Sequence, residues 1–279
     1  MNILINKIGI GTAQFGTNYG ISNSEGKTSE EEVYKILEYS KSNSIRYIDT
    51  AFAYGNAEEV LGKFDLSKFR IISKYIPKDN FGVEYQIEKS LKRLNLSNIY
   101  GYLAHRPLDL IENNNKNWNI LNQLKKNGLI NKIGASFNEV KELEIFMKSN
   151  LKLDLIQVPY NYFDNRFEEY IKLLKIEGCE IHTRSAFLQG LFFCHPDKLS
   201  NFFDMVKPFL RKIQETENLS SQLLRYIMEK DFIDVVNIGV NNLYQLKENI
   251  QNIGSSDLKL PKLDFEIEKK ILMPSEWPK

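Results

Sequence analysis

A single (β/α)8 barrel of the TIM type is the α/β fold this 279-residue sequence predicts. Three observations carry it. The length suits one barrel, which takes about 250 residues. Short apolar runs alternate with amphipathic helical stretches eight times, and that count favours a closed parallel barrel over an open doubly wound sheet. No linker, low-complexity tract or charge block divides the chain, so residues 1–279 read as one domain with a C-terminal tail over 264–279.

Lys7 to Thr12 is the first short strand. Thr28-Ser29-Glu30-Glu31-Glu32 then has the form of a capping box, Ser29 preceding Glu32 by three, and Val33, Ile36 and Leu37 follow at helical spacing. A strand over Arg46–Ile48 leads to a helix from Asn56, which caps it with Glu59 while Gly62 permits the exit turn. Strand Arg70–Ser73 precedes helix Val83–Leu94, with Ile87, Leu91 and Leu94 on one face. Strand Ile99–Leu103 precedes helix Asn117–Lys126, ended by Asn127-Gly128. The alternation continues through Ile130–Ala135, helix Asn138–Met147, strand Leu153–Val158 and helix Phe167–Ile176, ended by Gly178. Strand Cys179–Thr183 is followed by a long connection over Arg184–Asp197. Helical stretches over Leu199–Thr216 and Ser220–Lys230, strand Val235–Ile238 and helix Leu243–Ile250 complete the count. The tail packs over the outside or rim of the barrel.

An apolar share of 42% supports a sizeable core. Net charge is +1, from 37 basic and 36 acidic residues, which gives no reason to expect nucleic acid or an anionic membrane as a partner. The two cysteines, Cys179 and Cys194, form no C-x-x-C pair. That usage suits a reducing compartment and predicts neither a disulfide framework nor a metal site. The first residues have no secretory pattern, and no window reaches the roughly 18 apolar residues of a membrane span. A cytoplasmic, soluble protein is expected.

Four polar residues stand at or just beyond strand ends: Asp49, Tyr54, Lys74 and His105. On parallel neighbouring strands those ends converge on one rim. An unperturbed phenol is a poor acid, with a pKa of about 10, but a nearby ammonium stabilises the phenolate. Lys74 supplies such a charge and Asp49 holds Lys74 in place. His105 reaches a substrate oxygen and orients it. The set polarises and protonates a carbonyl while hydride arrives, and since side chains supply no hydride a nicotinamide is implied. Each residue also has a structural reading: a carboxylate capping a loop, a packing tyrosine, a paired buried lysine, a satisfied histidine.

The run Asp49-Thr50-Ala51-Phe52-Ala53-Tyr54-Gly55-Asn56-Ala57-Glu58-Glu59-Val60-Leu61-Gly62 resembles the signature of the aldo-keto reductase family. Lys74 and His105-Arg106-Pro107 match two further catalytic positions, and the resemblance runs from Gly9-Ile10-Gly11-Thr12 to Asn249. It implies a TIM barrel that reduces aldehydes or ketones to alcohols with Tyr54 as proton donor, on NADP(H) in preference to NAD(H). It implies cofactor contacts at Gly11 and Thr12, at Ser136 in Gly134-Ala135-Ser136-Phe137, and at Gln157. Phe137 replaces the family's usual Asn, and Gln157 is otherwise a glutamine satisfied within the barrel floor. Where the family places an aromatic residue and then Ser-Pro-Leu, this chain has Arg184-Ser185-Ala186-Phe187-Leu188-Gln189-Gly190, so Arg184, Ser185, Phe187 and Gly190 are cofactor candidates. The Arg184 charge suits an anionic substrate or a cofactor phosphate, or else an ion pair with Asp164 or Glu180. Gly239, Asn241, Gln245 and Asn249 fall in the family's adenosine-phosphate loop and helix. Gly239 and Gln245 stand there in place of a Lys and an Arg.

Two other functions remain open: a nicotinamide-binding regulatory barrel without turnover, and a lyase or isomerase with Lys74 as Schiff base. The rim loops Gln14–Lys27, Pro77–Phe81, Leu108–Lys116 and Gly190–Lys198 set the substrate, which is a small carbonyl or alcohol, sugar-like or anionic. Phe15, Tyr19, Phe52 and Tyr75 are the aromatic candidates for the pocket wall.

Overall fold

The computed structural model describes residues 3–77, 81–251, 253–254 and 258–278. Residues 78–80 of the rim loop Pro77–Phe81, the first two residues of the chain and the last residue of the tail lie outside the described residues. Eight parallel strands close into a barrel in sequence order, β1 pairing with β2 on one side and β8 on the other. The strands are β1 Ile8–Gly11, β2 Tyr47–Asp49, β3 Arg70–Tyr75, β4 Ile99–Ala104, β5 Ile130–Ser136, β6 Leu155–Pro159, β7 Glu180–Arg184 and β8 Val235–Gly239. Around them run α1 Ala13–Gly16, α2 Glu30–Ser42, α3 Ala57–Leu61, α4 Val83–Leu94, α5 Lys116–Lys126, α6 Val140–Met147, α7 Glu168–Ile176, α8 Lys207–Gln214, α9 Leu219–Met228, α10 Leu243–Ile250 and α11 Lys269–Leu272.

Period two along each strand sorts the side chains. Ile48, Ile71, Tyr75, Tyr102, Ile133 and Ile156 join the main core between strands and helices, while Ile72, Leu103 and Leu155 pack inside the barrel beside Tyr47 and Tyr100. The same parity carries Asp49, Lys74, Ser136, Gln157 and Arg184 to the inner face at the C-terminal mouth. Active sites of such barrels sit on that face.

Three local expectations need correction. The helix expected over 199–216 is confined to Lys207–Gln214, with short 3-10 turns at Pro196–Lys198 and Asn201–Phe203 before it. Pro208 is the reason: inside a longer helix it would remove a hydrogen bond and clash with the preceding turn, whereas the first turn accepts it. Asn56 makes no side-chain cap to α3, and its Oδ1 instead accepts from Lys27 Nζ at 2.6 Å. Gly62 follows α3 with an ordinary φ of −65°. Close packing is what requires glycine there, because a Cβ would strike the Arg93 carbonyl.

Ser29 does cap α2, accepting from Glu32 N at 3.3 Å. The return bond of a capping box is absent, however. Glu32 turns outward and accepts from Leu243 N at 2.9 Å, tying α2 to the start of α10. The tail packs through Ile271 and Trp277 into a second apolar cluster with Phe203, Phe209 and Leu210.

Candidate active site

Tyr54 lies in the turn after β2, and two glycines set its position. Gly55 has φ +55°, a conformation costly for other residues. A Cβ on Gly16 would collide with the Tyr54 carbonyl oxygen, so the end of α1 touches the backbone of this turn. Beneath the turn, Lys74 is 1% exposed and Asp49 4%. Lys74 Nζ donates to Asp49 Oδ2 at 2.7 Å and to the Thr50 carbonyl at 2.9 Å. Burial opposes the ammonium charge, but the Asp49 carboxylate and the Tyr54 hydroxyl outweigh it and hold Lys74 above its ordinary value. The same ammonium sits 5.1 Å from the centroid of the Tyr54 ring.

His105 follows β4, edge-on to Tyr54 with ring centroids 6.1 Å apart and planes at 83°. Burial, reinforced by the charges of Lys74 and Arg184, pushes its pKa down to about 4. The imidazole is therefore neutral at ordinary pH.

These groups open on one cavity of about 830 Å3. That volume is at the upper end of ligand cavities, about 300–1,000 Å3, and exceeds what a small carbonyl needs. The mouths of β1 and β2 contribute Gly11, Thr12 and Asp49 to the wall, and Tyr54 and His105 stand beside them. Ser136 and Gln157 come from β5 and β6, and Arg184, Ser185, Phe187 and Gly190 from β7 and its loop. Gly239, Asn241, Gln245 and Asn249 line the far end. Of the catalytic and cofactor candidates Lys74 alone stands behind the wall, reaching the site through Asp49.

Gln157 is fully buried and donates Nε2 to Asp49 Oδ1 at 2.7 Å, while its Oε1 accepts from Ser136 Oγ at 3.4 Å. Both oxygens of Asp49 are thus held, one by a cation and one by an amide. Phe137 faces away from the cavity, fully buried and edge-on to Phe146. Strand parity explains this, since residue 137 falls opposite to Ser136. The amide at the wall is Asn138, one residue later, and it holds Arg184 through Oδ1.

Arg184 makes no ion pair with either carboxylate considered for it. Asp164 lies 3.3 Å from Arg166, and Glu180 is engaged at the other end of the barrel by Lys132, by Tyr100 and by His182 at 2.7 Å. At the far end Gln245 accepts from Asn241 N at 2.8 Å, and Asn242 caps Gln245 N at 2.9 Å. Of the four aromatic candidates only Tyr19 reaches the wall. Phe15 and Tyr75 are fully buried in the core, and Phe52 lies against Arg93, 4.6 Å from its guanidinium carbon.

A model of the aldo/keto reductase family matches residues 7–272. The chain belongs to the aldo/keto reductase family. It is an NAD(P)-dependent oxidoreductase with the closed eight-stranded barrel of that family. The chain is 24% identical over 279 residues to "Uncharacterized oxidoreductase YqkF" of Bacillus subtilis, covering 88% of this chain and 87% of that protein. It is 32% identical to methylglyoxal reductase DkgA of Escherichia coli over 124 residues, 42% of this chain and 45% of that one. The barrel superimposes on aldo-keto reductase AKR11C1 of Bacillus halodurans with a TM-score of 0.72 at 20% identity, covering 91% and 88% of the two chains.

Several wall residues of this aldo/keto reductase are ones the sequence reading does not pick out: Gln14, Asn138, Gln189, Asn237, Tyr244, Glu248 and the tail segment Leu272–Ser275. Asn237 had a usable signal, a lone polar residue at an inward position of an apolar strand. It is buried, and neither end of its amide has a protein partner among the described residues. The tail segment had none, because its place depends on how the second apolar cluster packs. Among the described residues no helix is long and apolar enough to cross a membrane.

Proposed function

We propose that this chain reduces an aldehyde or ketone to an alcohol, with Tyr54 giving the proton to the carbonyl oxygen. The observation that carries the reading is the Lys74 ammonium, locked on Asp49 and 5.1 Å from the Tyr54 ring. As the phenol loses its proton, the developing negative charge lies beside a fixed positive one that needs no reorganisation. His105, neutral and half-buried next to Tyr54, orients the carbonyl oxygen by a hydrogen bond. Asp49 takes no proton in this scheme. It keeps Lys74 charged and in place.

A nicotinamide dinucleotide fits a cavity that runs from Tyr54 to α10, and when bound it supplies hydride to the carbonyl carbon. Ser136, Gln157 and Asn237, whose amide has no partner among the described residues, would hold its nicotinamide end. NADP(H) is expected over NAD(H) on family resemblance. The far wall, formed by Ser220, Tyr244, Gln245, Glu248 and Asn249, offers no cation to a second phosphate. Titration with each reduced cofactor, followed by quenching of protein fluorescence, decides between them, and tighter NADH would overturn the expectation. A small carbonyl or alcohol is the partner, and the two free cysteines fit a cytoplasmic setting.

A Schiff-base role for Lys74 is disfavoured by the same pair, since the nucleophile must be a neutral amine. The Tyr54→Phe variant tests the main reading. Its kcat should fall about 10^2- to 10^4-fold, the share general acid catalysis supplies, while its dinucleotide Kd stays within about twofold of wild type. Wild-type turnover by that variant would sink the mechanism.

A further inference from the structure

Arg184 ends β7 on the inner face of the barrel, where the strand reaches the cavity wall. Among the described residues no carboxylate lies within ion-pair distance of it. Three candidate acids are committed elsewhere: Asp49 to Lys74 and Gln157, Asp164 to Arg166, Glu180 to Lys132 and His182. A guanidinium in a protein keeps its charge, and Arg184 stands half-buried at the cavity wall with that charge unbalanced.

The guanidinium is nonetheless held in a fixed pose. Nη1 donates to Ser185 Oγ at 3.3 Å, and Nη2 donates to the Phe137 carbonyl at 3.2 Å and to Asn138 Oδ1. These bonds use three of its five N–H groups. The other two have no acceptor among the described residues. All three acceptors are neutral, so they fix the group without cancelling its charge.

The groups that share its cavity identify whose anion it awaits. Arg184 lines the same cavity as Tyr54, Tyr19, Asp49 and His105. An anion seated on Arg184 therefore lies in the cavity onto which the proton donor opens, where the reacting carbonyl must also lie. Glu248, the second acid on the wall after Asp49, belongs to the α10 end.

We propose that Arg184 binds a carboxylate carried by the substrate, so that the preferred substrate class is an oxo acid: an aldehyde or ketone with a carboxylate on the same small molecule. The inference rests on the reductase reading above. Hydride from the nicotinamide goes to the carbonyl carbon and the Tyr54 proton to its oxygen, giving a hydroxy acid, and the carboxylate is unchanged. The phosphates of the dinucleotide offer similar oxyanion chemistry, and the test separates the two sources.

Two measurements suffice, each made on wild type, Arg184→Gln and Arg184→Lys. The first is equilibrium binding of oxamate, an unreactive carboxylate bearing a carbonyl, to protein saturated with reduced dinucleotide, alongside the Kd of the dinucleotide itself. Arg184→Gln should weaken oxamate by at least about thirtyfold, the size of a lost charge-assisted bond. Arg184→Lys should fall between, because the charge remains and the planar fork is lost. The second is the ratio of kcat/KM for glyoxylate over the neutral glycolaldehyde, which should favour glyoxylate by at least about tenfold in wild type and collapse through KM in Arg184→Gln. Oxamate binding that ignores the substitution overturns the proposal, as does its absence from wild type. A weakened dinucleotide with oxamate unaffected overturns it in favour of a cofactor phosphate. The oxamate measurement needs no turnover. A protein inert toward both aldehydes that still binds oxamate through Arg184 would retire the reductase reading and leave the carboxylate site standing.

Discussion

Lys74 and Asp49 form an ion pair of 2.7 Å with side chains only 1% and 6% exposed. Parallel strands β2 and β3 bring them together from positions 25 residues apart. Removing one partner of such a pair leaves a buried charge uncompensated, which costs about 3–5 kcal/mol, whereas replacing both with apolar residues of like volume is often neutral. Asp49→Leu and Lys74→Met are each expected to lose several kcal/mol in urea denaturation. The double variant should recover most of that stability while remaining inactive. A double variant no more stable than the worse single one would contradict this account.

His105 is expected to stay neutral through the physiological range. Its folded pKa is depressed to about 4 by burial and by Lys74 and Arg184, so it takes up a proton only as pH falls through about 4. Its ring resonances should be flat from pH 8 to pH 5 in a heteronuclear titration. Any inflection of kcat/KM in that interval must then arise from another group. A His105 midpoint near the ordinary value of about 6.5 would show that the site is wetter than its packing indicates.

Glu180 anchors the opposite end of the barrel. Burial alone would raise its pKa, but contacts with His182, Lys132 and Tyr100 outweigh this and hold the carboxyl down to about 2. Because the folded value is depressed, the stabilisation is full above the unfolded value of about 4.5 and fades as pH falls through about 2. The displacement corresponds to a contribution on the order of 3 kcal/mol. Wild type should lose that increment between about pH 4.5 and 2 in chemical denaturation, and Glu180→Gln should lack this part of the acid dependence. Parallel loss in both proteins would remove Glu180 as the cause.

Gly16→Ala should damage activity and stability together. Its Cβ meets the Tyr54 carbonyl oxygen, so either α1 or the Tyr54 turn must shift. We expect a cost of about 1–3 kcal/mol, as for overpacking elsewhere, and a fall in kcat out of proportion to any change in dinucleotide Kd. An unchanged kcat would mean that α1 yields and the turn does not.

The sequence by itself determined the barrel, because eight apolar runs separated by helical periods leave few ways to bury every strand on both faces. It also determined which side chains reach the mouth. Parity along β2, β3, β5, β6 and β7 carries Asp49, Lys74, Ser136, Gln157 and Arg184 inward together, and the motif around Tyr54 and His105 marks the two loop positions beside them. Tertiary structure alone decided the pairings. Gln157 bonds Asp49 across 108 residues, Asn138 engages Arg184 through its Oδ1, and Arg184 rests on neutral acceptors with no acid within ion-pair distance among the described residues. Such choices turn on distances of a few tenths of an ångström between elements remote in sequence. Strand period and residue spacing fix the direction of a side chain and leave its distance to packing.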